Sequence, residues 1–99
     1  MYAVHFTSTV NSPLAGALLW VSLYIEGAKV AATDQPILIS RASGARDAAT
    51  GYYHGLSVTI ATLQRLDADD LLEVRMRANV ASNTARMNSR TFYIMRIGP

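Results

Sequence analysis

The residues of this chain that could do chemistry are two histidines, a knot of aspartates and a set of arginines. His5 and His54 stand far apart, and neither falls in a ligand-spaced pattern such as His-Glu-x-x-His. Each reads as a packing or solvent-facing imidazole rather than a metal ligand or a base. Asp67, Asp69 and Asp70 offer the hard oxygen atoms that hold Ca2+, but without the spacing of an established loop. A solvated turn whose carboxylates bond nearby backbone amides accounts for them, and no metal site is expected. Serine and threonine are abundant, yet no Gly-x-Ser-x-Gly elbow, Ser/His/Asp arrangement or glycine-rich phosphate loop occurs. The chain therefore reads as non-enzymatic, with no catalytic residue and no cofactor.

Beyond Leu71 the sequence carries Arg75, Arg77, Arg86, Arg90 and Arg96 against Glu73 alone. Guanidinium groups suit planar anions. A soluble module for anionic glycans or nucleic acid is accordingly the alternative functional reading, while solubilisation of outer strand faces explains the same residues without a ligand. Two stretches are candidates for exposed ligand contacts: the small-residue loop from Ser40 to about Gly51 and the polar loop from Asn79 to Arg90. Arg41, Arg46, Asn83 and Arg86 are the candidate ligand-loop residues.

These groups need a scaffold, and the spacing of apolar residues describes it. Tyr2, Val4, Phe6 and Val10 share one parity, as do Leu19, Val21, Leu23 and Ile25, then Leu56, Val58 and Ile60, then Leu72, Val74, Met76 and Ala78. A period of two places each set on one face of a pleated strand. The chain is expected to be an all-β, antiparallel β-sandwich, one domain over residues 1–99. Strands are expected over about Tyr2 to Val10, Ala17 to Ile25, Ala28 to Thr33, Ile37 to Ile39, Tyr53 to Gln64, Leu71 to Val80 and Thr91 to Ile97. Asn11-Ser12-Pro13 and Asp34-Gln35-Pro36 break the chain, Glu26-Gly27 closes a tight hairpin, and Leu66 to Asp70 reverses it. A helix through Ala61 to Ala78 fits the apolar spacing only with gaps, and strand-turn-strand is preferred.

The second strand differs from the rest. Leu18, Trp20 and Tyr24 occupy the parity opposite to Leu19, Val21, Leu23 and Ile25, so both faces are apolar and both need cover. The bulk composition points the same way, because 51% of the 99 residues are hydrophobic and only 16% are charged, below the roughly 25% of an average soluble domain. Surface that would normally be wet is expected to lie against another subunit, with Leu18, Trp20 and Tyr24 as the oligomer interface. The net charge of +2 is mild, and the absence of cysteine excludes disulfides and thiolate metal sites. The run Leu14 to Ile25 falls short of the ~20 residues a helix needs to cross a bilayer, and it lacks the basic start of a signal peptide. No membrane insertion is expected.

The order of elements resembles the C-terminal part of the tumour necrosis factor and complement globular-head superfamily. The likeness is carried by Val21-Ser22-Leu23-Tyr24-Ile25-Glu26-Gly27, by Gly55-Leu56-Ser57-Val58-Thr59-Ile60 spaced before Leu66-Asp67-Ala68-Asp69-Asp70-Leu71-Leu72-Glu73-Val74, and by Thr91-Phe92 with Arg96-Ile97. Asp69 stands where the family usually has glycine, and Tyr93-Ile94 replaces a small Ser-Gly pair. The resemblance implies a jelly-roll β-sandwich that lacks the first strands of the full fold and assembles as a homotrimer, with the absent strands supplied by another polypeptide or replaced by trimer contacts. It implies a structural or receptor-recognition role, and the compact Met1 start with no tag or linker suggests a small structural gene product such as a phage virion component, a fibre head or capsid decoration. Other virion proteins and a cell-surface glycan or protein are the implied partners, and the virion or an extracellular surface is the implied location.

Overall fold

A computed structural model describes residues 1–39, 41, 46–55, 57–79 and 84–98. They form two antiparallel sheets, with no α-helix among them. In sheet A the strand β1 (Tyr2–Ser12) is central, paired along one edge with β8 (Arg86–Arg96) and along the other with β6 (Val58–Gln64) and the short β5 (Tyr53–His54). In sheet B the central strand is β2 (Leu18–Ile25), flanked on one side by β7 (Leu72–Ala78) and on the other by β4 (Gln35–Leu38) and the two-residue β3 (Ala28–Lys29).

The expected parities bury the expected residues. Val4, Phe6 and Val10 of β1 meet Leu19, Val21 and Leu23 of β2 in the core, joined by Ile37, Ile39, Val58 and Ile60. Leu72, Val74, Met76 and Ala78 pack at its margin. Full burial of an aliphatic side chain of this size is worth about 1.5–3 kcal/mol, so the two central strands, each apolar on its inner face, organise the fold.

The Glu26-Gly27 reversal is a two-residue hairpin loop, because Ile25 pairs with Ala28 and Tyr24 with Lys29. Both loop residues have positive φ, 51° and 78°, the twist-matched geometry of tight hairpins. Glutamate is unusual there, and its carboxylate accepts a hydrogen bond from the Leu71 N–H, while its own N–H donates to the Leu71 carbonyl at 2.9 Å. The hairpin tip is thereby fastened to the start of β7. Past β3 a single 3-10 turn, η1 (Ala31–Thr33), replaces the rest of the expected third strand. Thr33 turns inward, and its Oγ1 accepts from the Leu23 N–H at 2.9 Å.

Three further expectations need correction. The single strand over Tyr53 to Gln64 is broken into β5 and β6 at Gly55, whose N–H donates to the Val10 carbonyl at 2.7 Å; Leu56 lies outside the described residues. The Leu66 to Asp70 turn does not pair the strands it joins, since β6 belongs to sheet A and β7 to sheet B, making it an arch between sheets. The expected polar loop over Asn79 to Arg90 ends early, because residues from Arg86 onward already pair with Asn11, Val10 and Thr9. A bulge absorbs the change: Thr7 faces Thr91 while Thr9 faces Asn88, and Ser89 takes a φ of 51°.

The sandwich is closed on one long side and open on the other. Around β6, strand β4 and the 3-10 turn cover the core. Across from them, Leu72 faces Phe92 and Ile94 over a cavity of about 250 Å³. The radius of gyration, 15.0 Å, exceeds the ~13 Å of a compact domain of about 100 residues.

Candidate functional site

The outer face of sheet B carries the aromatics expected at an interface. Trp20 and Tyr24 are half-buried, and β7 covers each of them with an arginine. Register sets this up: Arg77 lies opposite Trp20, and Arg75 lies opposite Ser22, two residues along β7 from Glu73, which is opposite Tyr24. The Arg77 guanidinium sits 4.3 Å from the Trp20 ring centre and the Arg75 guanidinium 4.3 Å from that of Tyr24. Stacking of this kind is worth about 0.5–1 kcal/mol at an exposed site. Leu18 pairs with the exposed Leu38 at the end of the same face.

Between the two aromatics, Ser22 donates its hydroxyl to Asp34, whose carboxylate also meets Lys29 at 3.4 Å and Arg77 at 3.8 Å. The Ser22 hydrogen bond, with help from the Lys29 and Arg77 charges, holds the Asp34 carboxyl below its ordinary 3.8. A carboxyl depressed in the folded state contributes stability above its unfolded value and loses that contribution as pH falls through the folded one. Asp34→Asn should therefore lower the urea midpoint at neutral pH, with the gap to wild type closing in acid. A gap independent of pH would rule this out.

The candidate ligand-loop residues are brought together only in part. Arg46 forms a bridge with Tyr53, which pairs with Ser12, and Arg86 pairs with the adjacent Asn11, so both gather at one end of sheet A. There the Arg86 guanidinium stacks 4.0 Å from the Tyr52 ring centre, and the Tyr52 hydroxyl donates to the Thr84 carbonyl at 3.2 Å. The Thr84 side chain, and secondarily Arg86, hold the Tyr52 phenol below its ordinary 10.0. Arg41 lies apart from this group, folded over Gly16, where a side chain would collide with its guanidinium. Asn83 lies outside the described residues.

The five arginines beyond Leu71 do not share a surface. Arg75 and Arg77 lie over sheet B, Arg86 is at the end of sheet A beside Tyr52, Arg90 is at the bulge and Arg96 is opposite Tyr2. The histidines are also separated. His5 is in the middle of β1 and stacks on Tyr93 at 4.9 Å, whereas His54 pairs with Asn11, about 20 Å further along at the ordinary rise of a strand. In the acidic turn, the Asp70 carboxylate accepts from the Asp67 N–H at 2.8 Å and Asp69 takes the left-handed conformation with φ 67°. Among the described residues, no three histidine or acidic side chains are grouped to hold a metal. None of their helices is long and apolar enough to cross a membrane.

A run of uncovered apolar side chains lies elsewhere, on β8. Phe92 and Ile94 share the inward parity of Phe6 and Val4, their partners on β1, yet they are 42% and 45% exposed against 3% and 1% for those partners. Tyr93 and Met95 point to the opposite face and are about half exposed, as is Ile97 beyond the strand. Sequence reasoning missed this although the signal was present: Phe92 and Ile94 on one parity with Tyr93 and Met95 on the other is the same two-faced pattern that singled out β2. The outer face of sheet A adds Ala3, Ala61 and Leu63 to Tyr93 and Met95, lining a shallow groove of about 310 Å³ that also touches His5. No protein-family model, curated protein or solved structure matches this chain.

Proposed function

We propose that this chain is a non-enzymatic structural protein that works as a homo-oligomer built on a three-copy unit. Its proposed setting is a virion, as a fibre head or capsid decoration, with loop residues meeting a surface ligand. The observation that carries the reading is β8, a long strand whose large apolar side chains are uncovered on both faces. A chain with so few charges would not remain dispersed with that area wet.

The strand order supports the finer fold assignment. An eight-stranded jelly roll without its first two strands would leave two sheets with the next two strands in their centres. The order here is β8-β1-β6 and β7-β2-β4. The outer face of sheet B, with Leu18, Trp20 and Tyr24, is the proposed threefold contact, and the exposed Leu38 beside Leu18 extends it. The non-enzymatic reading is supported by the separation of the histidines and by the use of Asp70 within its own turn. A module for anionic polymers would want its arginines on one surface, and these are spread over several.

Sedimentation velocity at micromolar concentration tests the proposal. The expected result is a folded species whose mass is a multiple of three chains. A folded monomer would overturn it.

A further inference from the structure

We propose that the outer edge of β8 is a two-fold contact at which two copies of this chain join their A sheets into one continuous sheet. The inference rests on the homo-oligomer reading but not on its threefold element, because a two-fold contact links two chains or two trimers equally well.

The polar half of the argument is the backbone. Strand β8 pairs with β1 along one edge, and among the described residues no strand pairs with the other. The Ile97 N–H bonds the Met1 carbonyl at 3.1 Å, so it points toward β1. Backbone direction alternates along an antiparallel strand. The N–H and C=O groups of Phe92, Ile94 and Arg96 consequently point away from β1, to the outer edge, where they lack a strand partner among the described residues.

The apolar half is the side chains. Phe92, Tyr93, Ile94, Met95 and Ile97 are each between 42% and 54% exposed. At roughly 200 Å² for a large side chain, they present about 450 Å² per copy. Two copies with the adjoining edge backbone therefore bring at most about 1,000 Å² to the contact, the size at which a specific interface becomes credible. A surface of this kind fits another strand of like composition better than it fits water.

Charge selects the register. Strand β8 has Arg86, Arg90 and Arg96 and no acidic residue, so an alignment placing arginine against arginine is disfavoured. Antiparallel pairing centred on Tyr93 would set Arg90 opposite Arg96 of the second copy. Centring on Ile94 avoids this. Ile94 then faces Ile94 of the second copy and Phe92 faces Arg96, each pair exchanging both backbone bonds through the outward groups. Tyr93 faces Met95 on the other side. The two Arg96 side chains stand four residues apart along the strand, about 13 Å at the ordinary rise, beyond the ~8 Å screening length at physiological salt. The cavity between Leu72 and Phe92 would be roofed by the second copy's Ile94 and Phe92.

The chain has no cysteine, so a single introduced thiol reports the contact directly. A hydrogen-bonded antiparallel pair holds its Cα atoms about 5.5 Å apart, within disulfide reach. Under mild oxidation, Ile94→Cys is expected to yield a covalent pair of chains on a non-reducing gel. Thr59→Cys, exposed on β6, should not. Ile94→Lys, which puts a charge at the centre of the contact, is expected to halve the mass seen by sedimentation while far-UV circular dichroism stays unchanged. An oligomeric wild type with no Ile94→Cys crosslink, or an Ile94→Lys mass equal to that of wild type, overturns the two-fold contact and leaves the homo-oligomer reading standing. A monomeric wild type overturns both. If Ile94→Lys fails to fold, the crosslink decides.

Discussion

Leu19→Ala is expected to lower the unfolding free energy by about 3–4 kcal/mol, within the range of buried leucine truncations. Leu19 is fully buried on the central strand of sheet B, paired with Ile37 on one side and Ala78 on the other. Its inner-face neighbours come from both sheets, so the remaining methyl cannot be followed inward without moving β1 as well as β2. The void should stay partly open, which puts the cost near the middle of the range. Against a total of about 5–15 kcal/mol for a domain, this is a large fraction. Urea unfolding at one fixed protein concentration measures it, since the proposed oligomerisation would make apparent stability depend on concentration. A loss under about 1 kcal/mol would mean that Leu19 does not occupy the centre of the core.

Gly55→Ala is expected to cost about 2–3 kcal/mol despite adding a single methyl, at the upper end for overpacking. A Cβ at position 55 would lie 2.7 Å from the Val10 carbonyl oxygen, 2.8 Å from Ile39 Cδ1 and 3.2 Å from Ile37 Cγ2. Ile39 could rotate away, but the carbonyl could not, because it accepts the Gly55 N–H and belongs to the central strand of sheet A. Relief would require breaking that bond and separating β5 from β1. By contrast, a Cβ at position 98 would meet nothing within 4 Å, so Gly98→Ala serves as the control. Equal stabilities for the two alanine variants would show that the approach at Gly55 is not tight.

Strands with one buried face were legible in the sequence. The parity of Val4, Phe6 and Val10, and that of Leu19, Val21 and Leu23, survives because a slip of one residue would turn the whole set to solvent. The Glu26-Gly27 hairpin was legible because its geometry is local. What escaped were relations between distant residues. Nothing near Gly55 announces that a carbonyl 45 positions earlier will press against it, and nothing in the acidic turn says that its two strands enter different sheets. The arginines over Trp20 and Tyr24 depend on the register of β7 against β2. Their effect is that the outer face of β2, which looked bare in the sequence, is partly covered by its own chain. The strand left uncovered on both faces is β8.

The pairing of β1 with β6 and β8 also bears on synthesis. The earliest synthesised of the described strands is the middle of sheet A, and both of its long neighbours come from the second half of the sequence. Nascent Tyr2–Ser12 therefore emerges with an apolar face and two unsatisfied edges and must wait for residues up to Arg96 before its ladder closes. Such distant pairing slows folding and leaves sticky intermediates. A holding chaperone acting on the newly emerged β1 should raise the soluble yield more than any helper that acts after release.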